Sequence, residues 1–199
     1  MAKTAIVTDS NSGITQREGK EAGIFVLPMP FLINDTSYFE DINLTQEEFY
    51  VHLRDAAANV STSQPSIGDL LDFWNDILKE YDEIVHIPMS SGLSQSCATA
   101  TALAKDFGGK IHVVNNQRIS VTLKESVFDA LKLRDQGKTA VEIKDYLENG
   151  NIRNSVNFPN CNMGACTQAG RIAILHKNKK GIIGKFSNIL GDGDINITD

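Results

Sequence analysis

The stretch that decides the fold is a short apolar strand followed directly by hydroxyl side chains: Glu83-Ile84-Val85-His86-Ile87-Pro88-Met89-Ser90-Ser91-Gly92-Leu93-Ser94. Its first half predicts a buried strand, and the serines and glycine that follow predict a turn into a helix. The same order occurs near the N-terminus, where residues 5–8 are apolar and residues 9–13 are turn-forming. Similar short strands alternate with amphipathic helices up to about residue 148. This alternation predicts an α/β fold with a mostly parallel sheet covered by helices.

The predicted elements around this stretch follow from capping and periodicity. Residues 23–33 predict one buried strand, which Pro28 and Pro30 place at a sheet edge or make irregular. Thr45 and Glu48 form a capping box for a helix that ends near Ala57. Further helices are predicted from Ser66 onward and over 93–107, 121–136 and 140–148, with a strand over 110–114.

Composition and charge exclude several function classes. The net charge of −6 argues against nucleic acid as the main partner, and no apolar run approaches the roughly 18 residues of a membrane span. Residues 1–150 hold 13 Lys+Arg against 22 Asp+Glu, whereas residues 151–199 hold 6 against 3. This asymmetry indicates a change of module or a basic face on one domain. Three cysteines make no disulfide framework, and we expect a cytoplasmic protein.

Two segments carry hydroxyl groups at predicted helix starts, residues 61–66 and 90–96. Backbone N–H groups and the helix dipole favour an anion there, and hydroxyls add uncharged donors. In a parallel sheet, ligands lie beyond the carboxyl ends of the strands, where both segments are expected. The residues therefore predict a carboxylate or phosphate site, although ordinary helix capping explains either segment taken alone.

Chemistry other than binding has less support in the sequence. A serine nucleophile needs an adjacent base and usually a G-x-S-x-G elbow, which residues 92–96 lack. His86 lies within a predicted strand and reads as a packed core residue. Cys161 and Cys166 stand without a second ligand pair at zinc-site spacing, so we expect no metal and no cofactor. We expect a binding protein rather than an enzyme.

The order of three motifs resembles the DegV family of fatty-acid-binding proteins over roughly residues 3–148. The motifs are Ile6-Val7-Thr8-Asp9-Ser10, Thr62-Ser63-Gln64-Pro65-Ser66 and Ile87-Pro88-Met89-Ser90-Ser91-Gly92-Leu93-Ser94. The resemblance implies a lipid-binding protein that holds a long-chain fatty acid by its carboxylate and presents it to a fatty acid kinase. It implies Thr62 and Ser94 as the carboxylate ligands. The residues that it implies as further site lining are Asp9, Ser10, Ser63, Ser90, Ser91 and Gly92.

The sequence also departs from this family. Gln95-Ser96-Cys97 stands where the family commonly has Gly-Thr-Tyr, and Val114-Asn115-Asn116 stands where an Asp-Ser pair is frequent. The family's second domain, expected after residue 150, is not recognisable in the residues that follow. We therefore expect weak or absent acyl binding by this chain alone, and self-association through exposed apolar surface.

The C-terminal residues resemble a different protein, the ACT region of D-3-phosphoglycerate dehydrogenase. This resemblance covers about 150–199 and implies an incomplete β-α-β ACT-like unit, with a strand over 171–177, a helix over 181–191 and a strand from Asp194 to Thr198. It implies a possible serine site at His176, Asn178 and Asn196. The predicted organisation is a DegV-like domain over 1–148, a linker over 149–170 and a truncated ACT-like unit over 171–199. The alternatives to lipid binding are a serine-responsive regulatory fragment, and a fused or misassembled frame without an evolved function.

Overall fold

A computed structural model describes residues 2–55, 57–151, 162, 164, 165, 167 and 181–193. The chain divides into two compact units, Met1–Thr167 and Gln168–Asp199. Seven strands are present in the described part of the first unit: β1 (Thr4–Asp9), β2 (Ile24–Leu27), β3 (Pro30–Ile33), β4 (Thr36–Phe39), β5 (Val60–Thr62), β6 (Glu83–Ile87) and β7 (Ile111–Val113). Its helices are α1 (Gln16–Ala22), α2 (Gln46–Arg54), α3 (Ile67–Ile77), α4 (Ser96–Leu103), α5 (Ser120–Asp135) and α6 (Ala140–Asn149).

The main sheet contains four parallel strands in the order β2-β1-β6-β7. Its centre is the pairing of β1 with β6, in which Thr8 lies opposite Ile87. All six residues of β1 are buried, as are the last four of β6. Continuous burial is typical of a parallel sheet with helices on both faces, and it confirms the fold class predicted from the alternation of elements.

The two faces of the sheet carry separate apolar clusters because successive side chains of a strand point in opposite directions. On one face, Val7 and Ile84 pack with Trp74 of α3 and Ala100 of α4. On the other face, the cluster joins residues of β1 and β6 to the helices α5 and α6, and its members include Ile6, Val85, Leu123, Val127, Ala140 and Ile143. The alternation of side chains along each strand therefore lets one layer of helices pack on each face of the sheet.

A second sheet, of three antiparallel strands in the order β4-β3-β5, was not predicted. The sequence predicted one strand over residues 23–33, but the structure divides it at Pro28 into β2 and β3 of different sheets. Pro28 lacks a backbone N–H, so a continuous ladder through it would lose a hydrogen bond. The second sheet matters for function because β5 ends at Thr62, the first residue of a predicted hydroxyl segment.

The predicted helices of the first unit are present but differ in their ends, and α1 was not predicted. The capping box of Thr45 and Glu48 is present, but α2 ends at Arg54 rather than near Ala57. The helix predicted over 93–107 begins only at Ser96, because residues 90–94 form a hydrogen-bonded turn, and its last turn is a 3-10 helix over Ala104–Phe107. Of the described helices, none combines the length and the apolar character that crossing a membrane requires.

In the second unit, the structure describes residues 181–193. They form α7 (Ile182–Asp192), which agrees with the helix predicted over 181–191 to within one residue at each end. The strands predicted over 171–177 and 194–198 lie outside the described residues.

Replacing Ile84 tests whether the centre of the main sheet carries the stability of the fold. Ile84 is fully buried, so Ile84→Ala leaves a cavity and should lower the free energy of unfolding by about 2–5 kcal/mol. The matched control is Ile42→Ala, since Ile42 is 60% exposed and its truncation should cost below about 0.5 kcal/mol. Urea unfolding followed by Trp74 fluorescence measures both. Equal effects of the two substitutions would contradict the described core.

Candidate carboxylate-binding site

The buried carboxylate of Asp9 joins the ends of the two central strands. Its Oδ2 accepts a hydrogen bond from the backbone N–H of Met89 at 2.8 Å, and its Oδ1 accepts one from the N–H of Asn11 at 3.0 Å. The side chain is only 2% exposed, and this burial raises its pKa above the ordinary value of 3.8, against the opposing effect of the two hydrogen bonds. Asp9 therefore positions the turns that follow β1 and β6.

The serines after β6 form a turn whose hydroxyls bind backbone groups. The carbonyl of Ser90 accepts from the N–H groups of Leu93 and Ser94, and its Oγ accepts from the N–H of Gly92 at 3.2 Å. The Oγ of Ser94 accepts from the N–H of Ser96 at 3.1 Å. A hydroxyl that accepts in this way keeps its own hydrogen for donation. Ser94 therefore stabilises the turn into α4 and keeps a hydrogen for donation.

The other predicted hydroxyl segment begins at the end of β5. Thr62 pairs with Phe31 through the backbone, and its side chain is exposed, with no hydrogen bond to any other described residue. Ser63 donates from its Oγ to the carbonyl of Gln64 at 3.1 Å. Ser66 caps α3 by accepting from the N–H of Asp69 at 3.0 Å. Capping thus accounts for Ser66, whereas the hydroxyl of Thr62 is exposed to solvent.

A side-chain hydrogen bond connects the first hydroxyl segment to α4, the helix that follows the second. The Oγ1 of Thr99, in α4, donates to the Oε1 of Gln64 at 3.3 Å. Between Gln64 and the start of α4 lies a cleft that is partly open to solvent. The residues that line this cleft are Asp9, Leu27, Met29, Gln64, Pro65, Leu70, His86, Pro88, Ser96 and Thr99.

Of the predicted site residues, Asp9 lines this cleft and the two predicted ligands lie outside its lining. Asp9 lines it, while the predicted ligands Thr62 and Ser94 each lie two residues before a lining residue, Gln64 and Ser96 respectively. The sequence reasoning missed Gln64, Thr99 and the apolar walls. Those walls belong to strand ends and to α3, and their meeting depends on tertiary packing that no local motif reveals.

His86 is placed as predicted, in the core, but it also lines the cleft. Its side chain is 2% exposed, and its ring meets that of Trp74 edge-on, with centroids 5.6 Å apart. Burial lowers its pKa from 6.5 to about 3, so the imidazole is neutral at physiological pH. His86 is thus no source of positive charge for an anion, and no described residue pairs it with a serine as a catalytic base.

Some predicted residues lie outside the described part of the chain. They are Cys161 and Cys166, for which the sequence predicts no metal binding, and the three candidate residues for binding free serine, His176, Asn178 and Asn196.

The model of the family described as "Uncharacterised protein, DegV family COG1307" matches residues 3–189. The chain belongs to the DegV family. A DegV domain-containing protein of Staphylococcus aureus strain N315 is 30% identical over 191 residues, which are 95% of this chain and 66% of that protein. A DegV domain-containing protein of Mycoplasma genitalium is 30% identical over 187 residues, which are 89% of this chain and 62% of that protein.

Solved DegV structures share the fold. The fatty-acid-binding DegV family protein of Thermus thermophilus has a TM-score of 0.66 at 28% identity, covering 73% of this chain and 52% of its own. DegV of Bacillus subtilis, a fatty acid binding protein, has a TM-score of 0.68 at 26% identity, covering 74% and 53%. The chain therefore spans about two thirds of the curated relatives and about half of these solved chains.

The family match also bears on the predicted change of module. The predicted DegV-like domain ends at residue 148, whereas the DegV family model matches as far as residue 189. The comparisons therefore confirm the DegV resemblance and do not support a change of family after residue 148. The ACT-like unit over 171–199 stays a prediction.

The burial of Asp9 predicts a particular pH dependence of stability. Its pKa is higher in the folded than in the unfolded chain, so the folded chain binds the proton more tightly. The contribution of Asp9 to the free energy of unfolding should therefore be largest below pH 3.8 and fall as the pH rises through the raised pKa.

The substitution Asp9→Asn isolates this contribution because it removes the titration. The difference in unfolding free energy, wild type minus Asp9→Asn, should decrease with rising pH over that window in urea titrations. A difference that increases with pH would contradict the raised pKa. The comparison with the variant is needed because His86, whose pKa is lowered, has the opposite effect on stability between about pH 3 and 6.5.

Proposed function

We propose that this chain binds a long-chain fatty acid by its carboxylate, through the hydroxyls of Thr62 and Ser94. The observation that carries the proposal is the cleft lined by Gln64 of the first hydroxyl segment and by Ser96 of the second, across which Thr99 of α4 donates a hydrogen bond to Gln64. The fatty-acid-binding relatives of known structure support it through their shared fold and family.

The chemistry of the segments suits a carboxylate held by neutral donors. The Thr62 hydroxyl has no partner among the described residues, and the Ser94 hydroxyl accepts one hydrogen bond and retains its own hydrogen. Hydrogen bonds to a charged group are stronger than those between neutral groups, so two hydroxyls provide substantial affinity without Lys or Arg. The described cleft adds Leu27 and Leu70 as apolar walls for part of the acyl chain.

Binding rather than catalysis is the function that these contacts support. An activated serine needs a base within hydrogen-bond reach, and the Ser94 hydroxyl binds a backbone N–H instead. We extend the proposal to a cytoplasmic carrier that presents its fatty acid to a fatty acid kinase, as the family resemblance implies. Affinity is expected to be weak in this chain, because the described cleft is partly open to solvent and shields little of an acyl chain from water.

The serine-responsive function predicted from the tail has less support. The DegV family match extends over most of that tail, and all three candidate serine ligands lie outside the described residues. Isothermal titration with L-serine separates the two functions, since the lipid-binding proposal predicts no heat of binding.

Removing either hydroxyl tests the carboxylate site. Thr62→Val and Ser94→Ala should each weaken the binding of stearic acid about tenfold, because each removes a donor to a charged group. Competition against a fluorescent fatty acid measures the affinities, at concentrations below the micelle limit of stearic acid.

The matched controls are Thr36→Val and Ser37→Ala, which replace exposed hydroxyls of β4, in the same sheet as β5. Both should leave the affinity unchanged. The proposed function would be refuted if Thr62→Val and Ser94→Ala bound stearic acid with the wild-type affinity. It would also be refuted if stearic acid did not compete at all.

A further inference from the structure

The two proposed carboxylate ligands belong to different parts of the fold. Thr62 is the last residue of β5 and so belongs to the antiparallel lobe, which we define as residues 30–62 with β3, β4, α2 and β5. Ser94 lies in the turn after β6, a strand of the main sheet. The distance between the two hydroxyls therefore depends on how the lobe is held against the main sheet.

Little apolar packing holds the lobe in place. The two apolar clusters on the faces of the main sheet include no described residue of the lobe. The lobe has apolar contacts of its own instead, such as that between the rings of Phe31 and Phe49, whose centroids are 5.0 Å apart. Elements of a fold are ordinarily fixed against each other by burying a shared apolar face. Polar contacts at the connections therefore carry more of that task here.

Two short connections, residues 28–29 and 63–66, join the lobe to the rest of the fold, and we call them the neck. Each contains a proline, which fixes one backbone angle and restricts the connection. The two connections also meet, because the N–H of Ser63 donates to the carbonyl of Pro30 at 3.3 Å. A contact to either connection therefore helps to fix the position of Thr62.

A hydroxyl from the main-sheet side binds each connection of the neck. The Oγ of Ser10, which follows β1, accepts a hydrogen bond from the N–H of Met29 at 3.2 Å. The Oγ1 of Thr99 in α4 donates to the Oε1 of Gln64 at 3.3 Å. These two hydrogen bonds tether the lobe to the part of the fold that carries Ser94.

The tether at Thr99 lies close to both proposed ligands. Gln64 is two residues after Thr62, and Thr99 lies in the first turn of α4, at whose start the Ser94 Oγ accepts from the N–H of Ser96. A binding site needs its groups held within about 0.5 Å of the productive geometry. A neck released from its tethers should therefore lose affinity even when both ligand hydroxyls are intact.

We propose that Ser10 and Thr99 are positioning residues of the carboxylate site, which hold Thr62 at the distance from Ser94 that one carboxylate can bridge. This inference rests on the proposed function, which it deepens by naming two residues that need not touch the fatty acid. It also gives Ser10 a role different from the site lining that the family resemblance implies, because its Oγ binds the Met29 N–H.

Ser10→Ala and Thr99→Val each remove one tether and test the inference. Each should weaken stearic acid binding about threefold to tenfold, the range expected for one hydrogen bond between neutral groups. In a Thr62→Val background the same substitutions should weaken binding less than about twofold, because no Thr62 hydroxyl remains to be positioned. The control is Thr101→Val, which removes a hydroxyl that donates to the Cys97 carbonyl within α4 and should leave the affinity unchanged.

Amide hydrogen exchange, followed by NMR without any fatty acid, gives a second readout. Exchange at the Ser63 N–H, which closes the neck, should become at least about threefold faster in Ser10→Ala and in Thr99→Val. The N–H of Asn34, which binds the Asn59 carbonyl at the far end of the lobe, should exchange at the wild-type rate. An unchanged rate at Asn34 shows that the lobe itself remains folded.

The two readouts separate a failure of the inference from a failure of the proposed function. If stearic acid does not bind the wild type, the proposed function fails, while faster exchange at Ser63 still supports the tethers. The inference is overturned if stearic acid binds both tether variants as tightly as the wild type, or if exchange at Ser63 is unchanged in both. It is also overturned if the tether substitutions weaken Thr62→Val as much as they weaken the wild type, since a general loss of stability would do that.

Discussion

The carboxylate of Asp9 is the contact on which the site depends. It accepts hydrogen bonds from the turn after β1 and from the residue that follows β6, so it ties together the ends of two parallel strands that are distant in sequence. The pairing of these strands brings the ends to the same edge of the sheet, and the carboxylate then fixes the direction of each turn. Burying it is costly, which its raised pKa reflects, and the two backbone donors offset part of that cost.

The described site offers a ligand no positively charged side chain. The hydroxyl segments and the described residues that line the cleft contain no Lys or Arg, and His86 is neutral. A strong positive charge would bind any small anion, whereas hydroxyl donors beside apolar walls favour an acid that brings its own apolar surface. Under the proposed function, this arrangement lets an acidic protein, with a net charge of −6, bind a carboxylate.

Much of this fold was predictable, for identifiable physical reasons. Residues 5–7 are apolar, as are residues 84–87 apart from His86, and the capping box at Thr45 is a local signal that the structure confirms. The antiparallel sheet was missed because its strands are only three or four residues long and Pro28 hides a boundary inside an apolar run. The cleft was missed in part because its walls come from distant segments. The extent of the family match was also missed, because the three motifs that carry the DegV resemblance all lie before residue 150.

The central claim is that two hydroxyls, one after each of two strands, hold the carboxylate of a fatty acid. A crystal structure of the chain with bound stearic acid tests it most directly. The account predicts a carboxylate oxygen within about 2.5–3.0 Å of the Thr62 Oγ1 and of the Ser94 Oγ, with the acyl chain extending toward Leu27 and Leu70. A carboxylate bound elsewhere, or an acyl chain that avoids the cleft between the two segments, would contradict it.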